Sequence, residues 1–140
     1  MDGDGEAEVV TVGSDTLVHC ISRAGKKKWT RSIGDEAAGL VVARGRIAAA
    51  SLTGDLHYLD GRGERRWRRS LGSPCVALAA AGRLLCAATE DAALTWVNRA
   101  GKVKARAQSN ARPAHLLGMP GGDLLLADAG GGLTLFAAPA

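Results

Sequence analysis

Two histidines at matching positions are the first candidates for metal binding or proton transfer. His19 and His57 lie 38 residues apart, the next position in that series is Thr95, and His115 stands alone. Histidines that share a metal ion must each come within about 2 Å of it, whereas matching residues of successive structural units lie much farther apart. We therefore expect packed or hydrogen-bonded histidines and no metal site.

Three aspartates, Asp15, Asp55 and Asp91, fall at predicted turns. A carboxylate at such a position accepts hydrogen bonds from backbone N–H groups of its own turn. Calcium would require roughly six to eight oxygen ligands to converge on one point. We interpret the three aspartates as turn residues.

The three cysteines, Cys20, Cys75 and Cys86, show neither a CxxC motif nor a Cys/His ligand spacing. An odd number without such a motif argues against a disulfide framework and against a zinc site. We expect small buried core residues. A disulfide between Cys75 and Cys86, on neighbouring strands of one hairpin, stays open for an oxidising compartment.

A constant period of 38 residues organises the whole chain. Gly25-Lys26-Lys27-Lys28-Trp29 recurs as Gly63-Glu64-Arg65-Arg66-Trp67 and as Gly101-Lys102-Val103-Lys104-Ala105. Short apolar segments beginning at Val18, Leu56 and Leu94 keep the same step, and Leu133 begins a fourth copy one residue late. Such a period is typical of repeat architectures in which each unit packs on its neighbours.

Each unit predicts four short strands, which we call a, b, c and d. In the complete copy they span about residues 39–43, 46–52, 55–60 and 65–71. Gly-rich turns separate them, and no helical periodicity is long enough for a helix. Strands a, b and c are apolar at nearly every position, which indicates sheets covered on both faces. The predicted fold class is all-β: propeller blades of four antiparallel strands, about 3.5 blades in all.

We expect one partial propeller domain over residues 1–140, with units of about 1–33, 34–72, 73–110 and 111–140. Propellers close with roughly four to eight blades, so either further blades of a longer chain or copies of this chain must complete the ring. We favour a longer chain, because the turn residues Asp2-Gly3-Asp4-Gly5 place the start in the middle of a blade.

The repeat resembles the quinoprotein-type, pyrroloquinoline-quinone-like propeller repeats, and it is also similar to WD40-like repeats. The likeness lies in Leu59-Asp60-Gly61-Arg62-Gly63-Glu64-Arg65-Arg66-Trp67 and its two copies, although the turn is one residue shorter than in the quinone enzymes. In that family the tryptophan docks one blade on the next. The resemblance therefore implies blade docking through five residues: Trp29, Trp67, Gly25, Gly63 and Gly101.

Positive charge is concentrated on strand d and the turn before it. Of 18 Lys and Arg residues, 14 lie in residues 23–31, 62–69 and 99–106, where Glu64 is the only acid. Strand d is the outermost strand of a blade, so we expect a basic rim. Its candidate residues are Lys26, Lys27, Lys28, Arg65, Arg66, Arg68, Arg69, Lys102 and Lys104. Lys and Arg on edge strands also prevent pairing with other chains, and we favour that interpretation.

These patterns favour a non-catalytic propeller module that acts as a protein-interaction scaffold. The calcium ligands, acidic base and adjacent cysteines of quinone-dependent dehydrogenases are not recognisable, so we expect no enzyme activity, no cofactor and no metal. Two alternatives stay open: a fragment of a quinoprotein-like oxidoreductase, and binding of nucleic acid or an anionic membrane surface through the rim. We expect a protein partner, with further blades or self-association. No secretory signal or membrane-spanning segment is present in the sequence, which favours the cytoplasm.

Overall fold

A computed structural model describes residues 8–13 and 15–139 of the chain. These residues form 14 strands: β1 Glu8–Val12, β2 Leu17–Ser22, β3 Lys27–Ser32, β4 Ala37–Ala43, β5 Arg46–Ser51, β6 Asp55–Leu59, β7 Arg65–Ser70, β8 Cys75–Ala81, β9 Leu84–Thr89, β10 Ala93–Val97, β11 Val103–Gln108, β12 Pro113–Gly118, β13 Leu124–Asp128 and β14 Leu133–Phe136. The turn that we expected at residues 2–5 lies outside this part of the chain.

The strands form four antiparallel sheets in chain order. The first sheet is β1-β2-β3, the second β4-β5-β6-β7, the third β8-β9-β10-β11 and the fourth β12-β13-β14. The chain is therefore a partial β-propeller, and the all-β prediction is confirmed. Within residues 8–13 and 15–139 we find no helix long and apolar enough to span a bilayer.

Strand boundaries in the second sheet differ slightly from the predicted ones. Strand β4 begins at Ala37, two residues before the predicted start at Gly39. The reason is a bulge: Ala37 pairs with Ser51 and Gly39 with Ala50, so Ala38 has no partner on β5. A bulge adds a residue that alternation alone does not reveal.

Three apolar clusters lie between neighbouring sheets. Ile47, Ala49 and Leu59 of the second sheet pack with Val18 of the first. The opposite face of the second sheet, with Leu56 and Tyr58, packs on the third sheet, and the third packs on Leu124 and Leu126 of the fourth. Small side chains allow this close approach. The middle strands β5 and β9 accordingly contain Ala48-Ala49-Ala50 and Ala87-Ala88, all at most 1% exposed.

The first strands of the last three sheets, β4, β8 and β12, approach one another most closely. A Cβ placed on Gly39 would lie 2.9 Å from the Leu78 Cβ, and one on Gly118 would overlap the Ala80 carbonyl oxygen. Glycine at these two positions thus sets the distance between sheets.

The cysteines are buried and free. Cys75 pairs with Thr89 and Cys86 with Ala79, and the two thiols belong to different interfaces of the third sheet. The disulfide that we left open is therefore absent. Burial raises the pKa of Cys75 to about 11 and that of Cys86 to about 12, which keeps both thiols protonated.

Candidate functional site

The turn between β6 and β7 receives a tryptophan from the preceding sheet. The Trp29 indole N–H donates a hydrogen bond of 3.1 Å to the Gly61 carbonyl. Its ring covers Gly63, where an added Cβ would lie 2.5 Å from the indole carbons. Gly63 also has a φ of 80°, a conformation that favours glycine. The turn therefore requires glycine both for its backbone and for the tryptophan.

The same contact recurs between the second and third sheets. The Trp67 indole N–H donates to the Arg99 carbonyl at 2.8 Å, and the ring covers Gly101. Trp67 also stacks on Tyr58 of its own sheet, with ring centroids 4.9 Å apart and an interplanar angle of 11°. A repeated sequence motif thus corresponds to a repeated contact between sheets.

Two arginines strengthen these contacts, and the sequence analysis missed their role. Arg31 Nε donates to the Gly63 carbonyl and Arg69 Nε to the Gly101 carbonyl, both at 2.6 Å. Each arginine follows its tryptophan by two residues, which was the available signal. Arg69 was assigned to the rim, but its guanidinium bonds to the third sheet.

The remaining two copies lack this contact. Gly25 has open space where a side chain would be, because the described chain contains no sheet before the first one. In the third copy, Ala105 replaces the tryptophan and packs in the cluster between the third and fourth sheets.

The basic strands lie where the rim was expected. β3, β7 and β11 are terminal strands of their sheets. In β7 every residue except Trp67 is exposed. Several rim cations are engaged locally: Arg68 pairs with Asp55 at 2.8 Å and Arg66 with Asp60 at 3.3 Å. Lys28 lies 3.9 Å from Glu8. Among the described residues, no ion pair involves Lys26, Lys27, Arg65, Lys102 or Lys104.

A groove between the second and third sheets gathers arginines that the rim analysis did not include. We call it the arginine groove. Its cationic lining residues are Arg44, Arg46, Arg83 and Arg99, and its apolar walls are Val41, Ala43, Ala48, Tyr58, Ala80, Leu84 and Leu85. Four Lys and Arg residues lie outside residues 23–31, 62–69 and 99–106. Three of them, Arg44, Arg46 and Arg83, thus lie beside Arg99 of the turn between β10 and β11. The sequence feature that could have identified Arg44, Arg46 and Arg83 is their position at the turns that follow strand a.

The arginine groove has no carboxylate among its lining residues. None of its four guanidinium groups forms an ion pair with a described residue. The nearby Asp60 is already engaged. Burial raises the pKa of Asp60, but hydrogen bonds from the backbone N–H groups of Arg62 and Glu64, together with the charges of Arg66 and Arg46, lower it by more. The net result is a pKa below the usual value. The groove therefore has an excess of positive charge beside an apolar wall.

Arg44 has an unfavourable backbone conformation in its hairpin turn. Its φ is 53°, and that of the following Gly45 is 74°. Gly and Asn adopt this left-handed conformation readily, whereas for other residues it costs roughly 1–2 kcal/mol. The matching turn of the third sheet has Gly82 at that place, with a φ of 63°. An arginine at a position better suited to glycine is consistent with a functional role of its side chain.

The described histidines and aspartates do not gather in one cluster, although His19 and Asp15 form a pair. His19 contacts Asp15 at 2.7 Å on the outer face of the first sheet. His57 is 2% exposed between the first and second sheets, and its ring nitrogens have no hydrogen-bond partner of good geometry among the described residues. Burial, with smaller contributions from Arg65 and Arg68, lowers the pKa of His57 below its ordinary value, although Asp55 and the Ile33 backbone oppose this.

The aspartates serve two purposes. Asp15 and Asp91 accept backbone N–H groups of their own turns, from Leu17 at 3.1 Å and from Ala93 at 3.2 Å. The turn interpretation was wrong for Asp55, whose carboxylate pairs with Arg68 across β6 and β7, while Ser51 Oγ accepts its N–H. In the described part of the chain, no three His, Cys, Asp or Glu side chains converge as metal ligands.

The family model described as outer membrane protein assembly factor BamB matches residues 14–137. The chain belongs to this family. Membership confirms the resemblance to PQQ-like propeller repeats. No curated protein matches the sequence significantly.

Solved structures share the fold at low sequence identity. BBS1N, crystallised in complex with ARL6DN, is 18% identical with a TM-score of 0.83, over 97% of this chain and 45% of that one. The WD40 β-propeller domain of Doa1 is 17% identical with a TM-score of 0.83, over 97% and 48%. The computationally designed Ika4 protein is 12% identical with a TM-score of 0.86, over 99% and 95%. This chain thus spans slightly less than half of BBS1N and Doa1 but nearly all of Ika4.

Proposed function

We propose that this chain is a non-catalytic propeller module that acts as a protein-interaction scaffold, and that the arginine groove binds an acidic segment of its partner. The observation that carries the proposal is the set of four arginines around an apolar wall, none of which forms an ion pair with a described residue. Clustered guanidiniums bind carboxylates through paired hydrogen bonds, and an adjacent apolar wall excludes water from those bonds. An acidic peptide with an apolar residue next to its carboxylates fits both features.

A peptide fits the arginine groove better than a nucleic acid does. Proteins that bind single strands stack bases on exposed aromatic rings. Tyr58, the one aromatic residue of the groove, is 6% exposed and stacks on Trp67. Its ring is not accessible to a base. BBS1N, which shares this fold, was crystallised in complex with ARL6DN, which is a precedent for a binding partner on the fold.

The test measures binding of a fluorescein-labelled peptide that alternates glutamate and leucine. Arg44→Gln/Arg46→Gln/Arg83→Gln should weaken binding at least about tenfold at physiological salt. Arg65→Gln/Lys102→Gln/Lys104→Gln is the matched control, since it removes the same three charges from the rim and should change affinity less than about threefold. A cluster of surface cations without a built site would lose affinity equally in both variants, because only net charge would matter.

Two further arms separate the alternatives. A ten-nucleotide oligothymidine should compete poorly with the peptide, and strong competition would favour nucleic-acid binding through the basic surface. Binding should weaken moderately with salt, because the apolar contact is insensitive to screening. Absence of peptide binding by the unmodified chain would contradict the assignment of the groove.

A further inference from the structure

The outer face of the fourth sheet has a row of exposed leucines. Leu117, Leu125 and Leu135 are cross-strand neighbours, and Leu133 lies beside them opposite Ala127. Leu117 is 58% exposed, Leu133 72% and Leu135 61%. We call these four residues the leucine face. Exposed leucines that adjoin one another on one sheet indicate a contact with another molecule or segment.

Matching positions in the preceding sheets are buried. Leu133 corresponds to Leu94 and Leu56, because each lies opposite an alanine of the middle strand in the same register. Leu94 and Leu56 are both 0% exposed. Leu135 corresponds to Trp96 and Tyr58, which are 3% and 6% exposed. They are buried because the next sheet packs on them, so the leucine face has the form of a surface that receives a further sheet.

The first sheet exposes the complementary surface. Val9 pairs with Ile21 and Thr11 with His19 on its outer face, and we call these four residues the valine face. Val9 is 58% exposed, whereas the matching Ile47 and Leu85 are 0% and 8% exposed. Ile21 is half-buried, whereas the matching Leu59 and Val97 are 0% exposed. These matching residues are the ones that pack on the preceding sheet.

We propose that a second copy of this chain covers both faces, with the leucine face of each copy packed on the valine face of the other. Every contact between sheets inside the chain joins these same two kinds of face, and the new interface would repeat it between the strands that both sheets have in common, β13 and β14 of one copy and β1 and β2 of the other. Two copies of four sheets form a ring of eight, within the range of roughly four to eight blades for propellers. Head-to-tail contacts that close in this way give a finite assembly.

The first test is the mass of the 140-residue chain by sedimentation and light scattering at about 100 µM. The expected mass is twice 14.4 kDa. Leu133→Glu/Leu135→Glu and, separately, Val9→Glu should each shift the chain to a monomer, raising the dissociation constant at least about 100-fold. Leu52→Glu is the matched control: Leu52 is 44% exposed but belongs to neither face, so this variant should stay dimeric.

Each variant should keep the far-ultraviolet circular dichroism of the unmodified chain, because the substituted side chains are largely exposed in the single copy. If the double variant fails to fold, Leu135→Ser alone serves, with the same expected shift toward monomer. A monomeric unmodified chain at 100 µM would overturn the proposal.

Mixing the two face variants tests the head-to-tail arrangement. A dimer of one Leu133→Glu/Leu135→Glu chain and one Val9→Glu chain keeps one intact interface of the two. Native mass spectrometry should therefore detect this mixed dimer, weaker than the unmodified dimer but stronger than either variant with itself. Two leucine faces packed on each other would instead leave Val9→Glu dimeric, and an open filament would give masses above the dimer. Either result would contradict the closed ring.

Discussion

The interface between the second and third sheets and the outer face of the fourth sheet use matching positions with opposite exposure. Leu56 and Tyr58 are at most 6% exposed, whereas Leu133 and Leu135 are more than 60% exposed. All four lie on the third strand of their sheets, with apolar cross-strand neighbours on the second strand. A neighbouring sheet, and not the strand's own sequence, thus determines whether such a position is core. Where the second sheet packs on the third, two further features accompany this burial: the close approach of Gly39 to Leu78 and the contact of Trp67 with the turn at Arg99.

The largest loss of stability should come from adding a methyl group between the third and fourth sheets. Gly118→Ala places a Cβ on the Ala80 carbonyl oxygen, and a backbone atom cannot move aside without shifting β8. We expect a loss of about 3 kcal/mol in the free energy of unfolding, at the upper end for overpacking. Urea denaturation measures it. The control is Gly130→Ala in the turn between β13 and β14, whose Cβ would lie 3.4 Å from Asp128 Oδ1 in ordinary contact, and equal losses would contradict the spacing argument.

Removing a rim contact should have a smaller effect. Trp67→Ala removes the stacking on Tyr58, the hydrogen bond to the Arg99 carbonyl and the cover of Gly101. We expect a loss of about 2–3 kcal/mol, below the roughly 3–5 kcal/mol for fully buried aromatics, because Trp67 is only half-buried. Denaturant titration of the variant is the measurement.

Trp67→Phe is the companion variant, since it keeps a stacked ring but removes the indole N–H. It should lose about 1 kcal/mol, the usual net value of one hydrogen bond. If Phe were as damaging as Ala, the stacking and the cover of Gly101 would contribute little.

The smallest effect should be a pH dependence at His57. Burial lowers the pKa of His57 in the folded chain, so below about pH 6.5 the unfolded chain binds the proton first. Stability that is present above that pH is therefore lost as the pH falls toward the folded-state pKa. His57→Thr, which copies Thr95 of the third sheet, removes this loss.

The melting temperature of the unmodified chain should thus fall by a few degrees relative to His57→Thr between pH 7.5 and pH 5.5. His57→Gln, equally uncharged but larger, should behave like His57→Thr if titration is the cause. Identical pH profiles for all three proteins would show that the buried imidazole does not contribute.

The repeat made the architecture predictable from sequence. The 38-residue step and the Gly-rich turns correctly predicted about 3.5 antiparallel sheets of four strands each, because period and turn chemistry are local properties of the chain. The bulge at Ala38 was not predictable, since its pairing depends on the neighbouring strand. Nor was the ion pair of Asp55 with Arg68, because their spacing of 13 residues becomes a contact only through the hairpin.

The candidate site was less accessible to sequence reasoning than the fold. Counting charges along the chain drew attention to strand d and away from Arg44, Arg46 and Arg83, which are scattered in sequence. Only the packing of the second sheet on the third brings them beside Arg99. Convergence of residues from separate units depends on tertiary packing, which a linear motif does not contain.

The tryptophan contacts also have an evolutionary consequence. Trp29 binds the turn at Gly61 and Trp67 the turn at Arg99, so each contact involves only the following unit. In a stack of nearest-neighbour contacts, whole units can be gained or lost without disturbing the others. Excision of one 38-residue unit would bring Trp29 to the turn that Trp67 now contacts. Its indole could then form the same hydrogen bond and pack over Gly101. The architecture is therefore compatible with deletion or duplication of one whole unit.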